Sequence, residues 1–106
     1  MYLEIGVDTG ACFLRLKARK KIAVDPKIKS STNKKFRYCF KNICSIFNEY
    51  YEVPSDDFFA AQESLLSRHR LDVVLIDGLH TYSQSLRDFE HSLKWLKDGG
   101  VIMMHD

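Results

Sequence analysis

Two hydrophobic regimes alternate along the chain. Short apolar runs closed by acid, glycine or proline give way to stretches in which apolar residues recur every three or four positions. Tyr2-Leu3-Glu4-Ile5-Gly6-Val7 is the first such run and predicts a strand. Asp8-Thr9-Gly10 then supplies turn chemistry, and Ala11 to Leu16 reads as a helix start. Lys21-Ile22-Ala23-Val24-Asp25-Pro26 predicts a second buried strand, which Pro26 closes because its ring nitrogen cannot donate to a ladder. Lys27 to Lys35 is a polar, lysine-rich loop, residues 36–46 predict a helix, and Tyr50 to Val53 predict a third strand ended by Pro54. Ser55 is expected as the N-cap of the next helix, with Asp56 and Asp57 in its first turn, where the helix dipole favours acids. Phe58, Phe59, Leu65 and Leu66 suit its buried face.

Asp72-Val73-Val74-Leu75-Ile76-Asp77-Gly78 places four successive aliphatics between two acids, the pattern of a central parallel strand buried on both faces. In the helix that follows, Tyr82, Leu86, Phe89, Leu93 and Leu96 step along one expected buried face, while Arg87, Asp88, Glu90, Lys94 and Lys97 fall elsewhere. Gly99-Gly100 predicts its left-handed C-terminal cap, and Val101 to Met104 a fifth strand before His105-Asp106. Strands alternating with helices predict an α/β three-layer sandwich around a mostly parallel sheet of about five strands, with right-handed crossovers, as a single domain over residues 1–106.

Composition narrows the class. A chain of 106 residues that is 45% hydrophobic and 28% charged is neither a disordered tail nor a repeat. The net charge of +2 does not call for nucleic acid, although residues 1–53 carry eleven Lys/Arg against five Asp/Glu and residues 54–106 five against nine. The lysines of the first half fall where turns and helix ends are expected, so a solvated face is the better reading than a polyanion site. Cys12, Cys39 and Cys44 form no even framework and sit among apolar residues, which predicts reduced core cysteines in a cytoplasmic protein. No apolar run approaches membrane-span length, so a soluble chain is expected.

In an open parallel α/β sheet, ligands bind outside the carboxyl ends of the strands. The sequence puts Gly6 to Gly10, Asp25, Ser55-Asp56, Asp77-Gly78-Leu79-His80 and His105-Asp106 at those five ends. The spacing Glu4-x-Gly6-x-x-x-Gly10 is not the GxGxxG of the dinucleotide fingerprint, which argues against a nicotinamide-dependent oxidoreductase. It permits close backbone approach by a ligand, or serves only the turn. Asp25, at the second strand's end, is placed to accept both hydroxyls of a ribose, or is a loop acid before Pro26.

Leu3 to Gly10, Val24-Asp25-Pro26, Ser55 to Phe59, Ile76 to Tyr82 and Gly99 to Asp106 together resemble, in order and over nearly the whole chain, the motifs of class I S-adenosylmethionine-dependent methyltransferases. The nearest branch is the small-molecule and sugar O-methyltransferases. The resemblance implies a Rossmann-like fold with S-adenosylmethionine as cofactor and a small-molecule acceptor. It places Gly6 and Gly10 against the methionine part, with Glu4 supporting that loop, Asp25 on the ribose, and Ser55 and Asp56 beside the adenine. Asp77 borders the methyl-transfer site. In metal-dependent relatives the matching acid binds a divalent cation with the pair ending the fifth strand, here His105-Asp106, so Asp77 and Asp106 are the expected ligands of Mg²⁺ if a metal is used. Without one, His80 and His105 are the candidate bases for the acceptor's proton, with His80 also read as a helix-start cap. Leu79 and His105 stand where such relatives often carry acids.

Complete members of the family have seven strands, so the expected sheet is incomplete by comparison. Its edge calls for cover from a missing C-terminal part or from a second copy in a homodimer. A non-catalytic module that folds without turnover is the alternative expectation.

Overall fold

The computed structural model describes residues 1–28 and 48–105; the helix predicted over 36–46, Cys39, Cys44 and Asp106 lie outside them. The described strands β1 (Tyr2–Ile5), β2 (Lys21–Val24), β3 (Asn48–Tyr51), β4 (Leu71–Ile76) and β5 (Leu96–Met104) form one sheet in the order β3-β2-β1-β4-β5. Every neighbouring pair is parallel. The described helices are α1 (Ala11–Arg15), α2 (Ser55–Ala61), α3 (Glu63–Arg68) and α4 (Tyr82–Trp95). The chain builds outward from β1 through β2 to β3, then returns to β1's other side for β4 and β5. That reversal puts a crevice at the carboxyl ends of β1 and β4.

The pleat sends alternate residues to opposite faces. Leu3, Ile5, Ile22, Val24, Val74 and Ile76 meet Phe58, Phe59 and Leu66 of α2 and α3 on one face. On the other, Tyr2 and Ala23 pack with Val7, Phe13 and Leu14 around α1. Lys21 shares this second face and is 1% exposed. Its Nζ donates to the carbonyls of Phe13 at 2.6 Å and Leu16 at 2.8 Å, and lies 4.7 Å from the Phe13 ring centroid. A helix as short as α1 leaves its last carbonyls without intrahelical partners, and the buried ammonium supplies donors to the carbonyls around its end.

Several elements differ from expectation. β3 ends at Tyr51 rather than Val53, because its pairing with Lys21–Val24 runs out there, and Tyr50 and Tyr51 pack edge-on against Phe13 and Phe58. Ser55 is the first residue of α2, not its cap; Pro54 holds the cap position and makes no side-chain cap bond. Cys12 is exposed rather than a core residue. β4 is closed on one face only, since Val73 and Leu75 are half-buried on the side where, among the described residues, α1 is the covering helix.

The largest difference lies in α4. Its predicted stripe is turned outward, with Tyr82 84% and Leu93 53% exposed, while Asp88 and Ser92 are buried and Phe89 is half-buried against the core. Asp88 ties the helix to the start of α2, its Oδ1 accepting from Ser55 Oγ at 2.5 Å. Gly99 does not cap this helix, which ends at Trp95 with Leu96 extended. Gly99, at φ +79°, instead sits in a bulge where β5 advances five residues, Leu96 to Val101, against two on β4. β5 forms one sheet edge and exposes Val101, Met103 and Met104. Among the described residues no helix is long and apolar enough to cross a membrane.

Candidate functional site

The crevice opens into a pocket of about 470 Å³ lined from the ends of β1, β2 and β4, the loop before α2, and one face of α4. Its first wall is the loop after β1, where Gly6, Asp8 and Gly10 all take positive φ. Asp25 holds this loop in place. Its Oδ2 accepts from the backbone N–H groups of Val7 at 2.8 Å and Asp8 at 3.0 Å, and its Oδ1 from that of Lys27 at 2.8 Å. The carboxylate expected to take a ribose therefore also ties the β1 and β2 ends together, and Oδ1 keeps acceptor capacity.

Gly6 is needed for a different reason than expected. A Cβ there would fall 2.2 Å from the Asp77 carbonyl oxygen, so it is the backbone of the β4 loop that approaches so closely. Glu4 lies beneath the loop, buried, with its Oε2 accepting from the Tyr2 hydroxyl at 2.7 Å. Burial raises the Glu4 carboxyl above its ordinary range against that hydrogen bond and pushes the Tyr2 hydroxyl well up.

At the end of β4, Asp77 gathers both candidate bases. His105 Nδ1 lies 3.0 Å from Asp77 Oδ1, and His80 Nε2 lies 3.8 Å from the same oxygen. The two imidazoles stand 6.5 Å apart. The pairing follows from register: Ile76 pairs with Met104, and the His105 N–H donates to the Ile76 carbonyl at 2.9 Å, which brings the residues after each strand side by side. His80 does not cap α4; Thr81 does, its Oγ1 accepting from the Gln84 N–H.

Of the residues expected at the site, Gly6, Asp25, Ser55 and Asp77 line the pocket, Glu4 supports it from below, and Gly10 is at the start of α1 outside the lining. Asp56 turns away, with Oδ2 3.3 Å from Arg87 Nε on α4. The expected cation site gains no support: among the described residues no group of three His, Cys, Asp or Glu side chains converges, and Asp106 lies outside them. Sequence reasoning passed over Gln84 and Asp88, which line the pocket from α4. The periodicity assigned Asp88 to the solvent side, and the spacing Gln84, Asp88, Ser92 was the signal of a second, polar stripe.

A parallel α/β sheet with a pocket at its reversal point is the architecture of a nucleotide-binding enzyme domain. This chain belongs to the methyltransferase domain family, which matches residues 3–106. That membership makes it a class I methyltransferase domain and implies S-adenosylmethionine as its cofactor. No curated protein and no solved structure matches it.

Proposed function

We propose that this domain moves the methyl group of S-adenosylmethionine to an oxygen of a small molecule or sugar. The observation that carries the reading is the His105–Asp77 contact at 3.0 Å. Asp77 Oδ1 accepts from Nδ1–H, a tautomer assigned from this hydrogen bond, which leaves the Nε2 lone pair outward. The His105 side chain is 67% exposed, so an acceptor hydroxyl can reach it. Nε2 takes the hydroxyl proton as the oxygen attacks, and the Asp77 carboxylate stabilises the imidazolium that results. His80, on the same carboxylate, is the second base of the same kind.

The donor set fits the cofactor. Asp25 lines the pocket and its Oδ1, which accepts one backbone N–H, has acceptor capacity for ribose hydroxyls, and the apolar walls of Val24, Pro26, Pro54 and Leu79 suit a flat base. When bound, the cofactor supplies a methyl carbon made electrophilic by its sulfonium. The chain's own part is alignment and water exclusion, the main sources of rate in such a displacement.

Isothermal titration with S-adenosylhomocysteine tests the reading, repeated on Asp25→Ala with folding checked by circular dichroism. Binding that Asp25→Ala weakens at least about tenfold is expected. A folded chain that binds nothing would instead be the non-catalytic module.

A further inference from the structure

We infer that the end of the sheet opposite the pocket is a docking surface for the phosphate backbone of a nucleic-acid duplex, held without regard to base sequence. The inference is independent of the cofactor reading, because the pocket opens at the other end.

The net charge of +2 hides two opposed ends. Asp8, Asp25, Glu52, Asp56 and Asp77 lie where strands finish and α2 begins, on the pocket side. The exposed cations Arg15, Lys17, Arg19, Arg68 and Arg70 lie where strands begin. Arg15 ends α1, Lys17 and Arg19 are in the loop into β2, Arg68 ends α3, and Arg70 directly precedes β4. Backbone hydrogen bonds hold these segments on either side of β1: the Tyr2 N–H donates to the Lys20 carbonyl at 3.0 Å, and the Asp72 N–H to that of Met1 at 2.9 Å. A cavity of about 430 Å³ opens there, with Lys17, Arg19 and Asp72 in its lining.

Among the described residues none of the five cations is ion-paired, because the acids beside them are taken. Lys20 holds Glu49 at 3.1 Å, and the Met1 ammonium and Lys97, at 3.2 Å, hold Asp72. Asp98 sits in the bulge of β5, at the sheet edge. Residues 29–47 bring five Lys/Arg and no Asp or Glu, so no carboxylate of theirs neutralises this end. Helix ends account for Arg15 and Arg68, whose charge suits last-turn carbonyls, but not for the three loop cations.

Four of the five are arginines, whose guanidinium fork meets a phosphate through two parallel hydrogen bonds. A protein partner or a membrane would call for an apolar anchor. The exposed large apolar side chains lie elsewhere, on α4, on β5 and at Leu79 before α4. That leaves no exposed aromatic platform for single-stranded bases among the described residues of this end, so the evenly charged ridge of a duplex fits it best.

The test is fluorescence anisotropy with a labelled DNA duplex of mixed sequence, in salt from about 50 to 200 mM. Log K is expected to fall with log salt at a slope between about −3 and −4.5, as for contacts to about three to five phosphates. Arg19→Ala and Arg70→Ala should each make the slope shallower by about one, while Lys27→Ala, at the pocket end, should leave it unchanged. A folded chain that does not bind the duplex at about 50 mM salt overturns the inference. So does a slope that Lys27→Ala changes as much as the two arginine variants do, since the attraction would then be one of total charge. Poly-glutamate or phosphatidylserine vesicles that displace the duplex as readily as unlabelled duplex does, at matched charge, overturn it in favour of an acidic protein or a membrane. If a variant does not fold, acylation of the wild-type chain decides: bound duplex should shield Lys17 and not Lys27, and equal labelling changes at the two overturn the inference.

Discussion

Three carboxylates of the pocket are distinguished by what each already holds. Asp25 holds backbone, Asp77 an imidazole, and Asp88 a hydroxyl and an amide. On the proposed proton transfer to the Asp77–His105 pair, His105→Ala is expected to lower kcat by about 10²- to 10⁴-fold while leaving the affinity for S-adenosylhomocysteine unchanged. A loss confined to affinity would remove His105 from the chemistry. Asp88 also sets a pH dependence of stability. Burial raises its carboxyl above the ordinary range, opposed by the bonds from Ser55 and Gln84. A carboxyl with a higher pKa folded than unfolded contributes stability that is complete below the unfolded range and is lost as pH rises through the raised value. Plotting Tm against pH between about pH 4 and pH 7, the gap between the chains should move in favour of Asp88→Asn as pH rises; a constant gap contradicts the assignment. Asp25 and Asp77 were legible because each closes an apolar run. Asp88 was not, because nothing in a single helix's period shows which neighbour its acid will meet.

Among the elements, the strands followed from the runs of Val, Ile and Leu, which have no other stable place in a small domain. The rotation of α4 did not follow. Its apolar stripe predicted burial, but Asp88 is buried instead, its Oδ1 bonded to Ser55 and Gln84, because an unpaired buried carboxylate costs more than a half-exposed leucine. The bulge in β5 was hidden for a similar reason, since Gly99 in sequence suits a helix cap and a bulge equally well. The β1 and β4 loops approach backbone to backbone at Gly6. Gly6→Ala would bring both a strained φ of +83° and a Cβ 2.2 Å from backbone. It is expected to cost more than about 3 kcal/mol, read as a lower midpoint in urea unfolding; a loss below that size would mean that the two loops separate easily.

For the whole molecule, the sheet's order gathers the pocket walls at one end of one sheet, so the pocket forms with the fold rather than after it. Exposed apolar side chains, Leu79 and Tyr82 by α4 and Val101, Met103 and Met104 on β5, lie toward the β5 edge of the sheet. The buried ammonium of Lys21 has a further consequence, for chemical footprinting. Its nitrogen is bound to the carbonyls of Phe13 and Leu16 and shielded by the Phe13 ring, so an acylating reagent can reach it only when α1 lifts from the sheet. The exposed Lys17 should acylate at once and Lys21 far later, and saturating S-adenosylhomocysteine should delay Lys21 further, because α1 continues directly from the loop that Asp25 pins. Equal labelling of the two lysines would show that α1 detaches freely; a ligand-dependent lag would make one amine a clock for the opening of the cofactor loop.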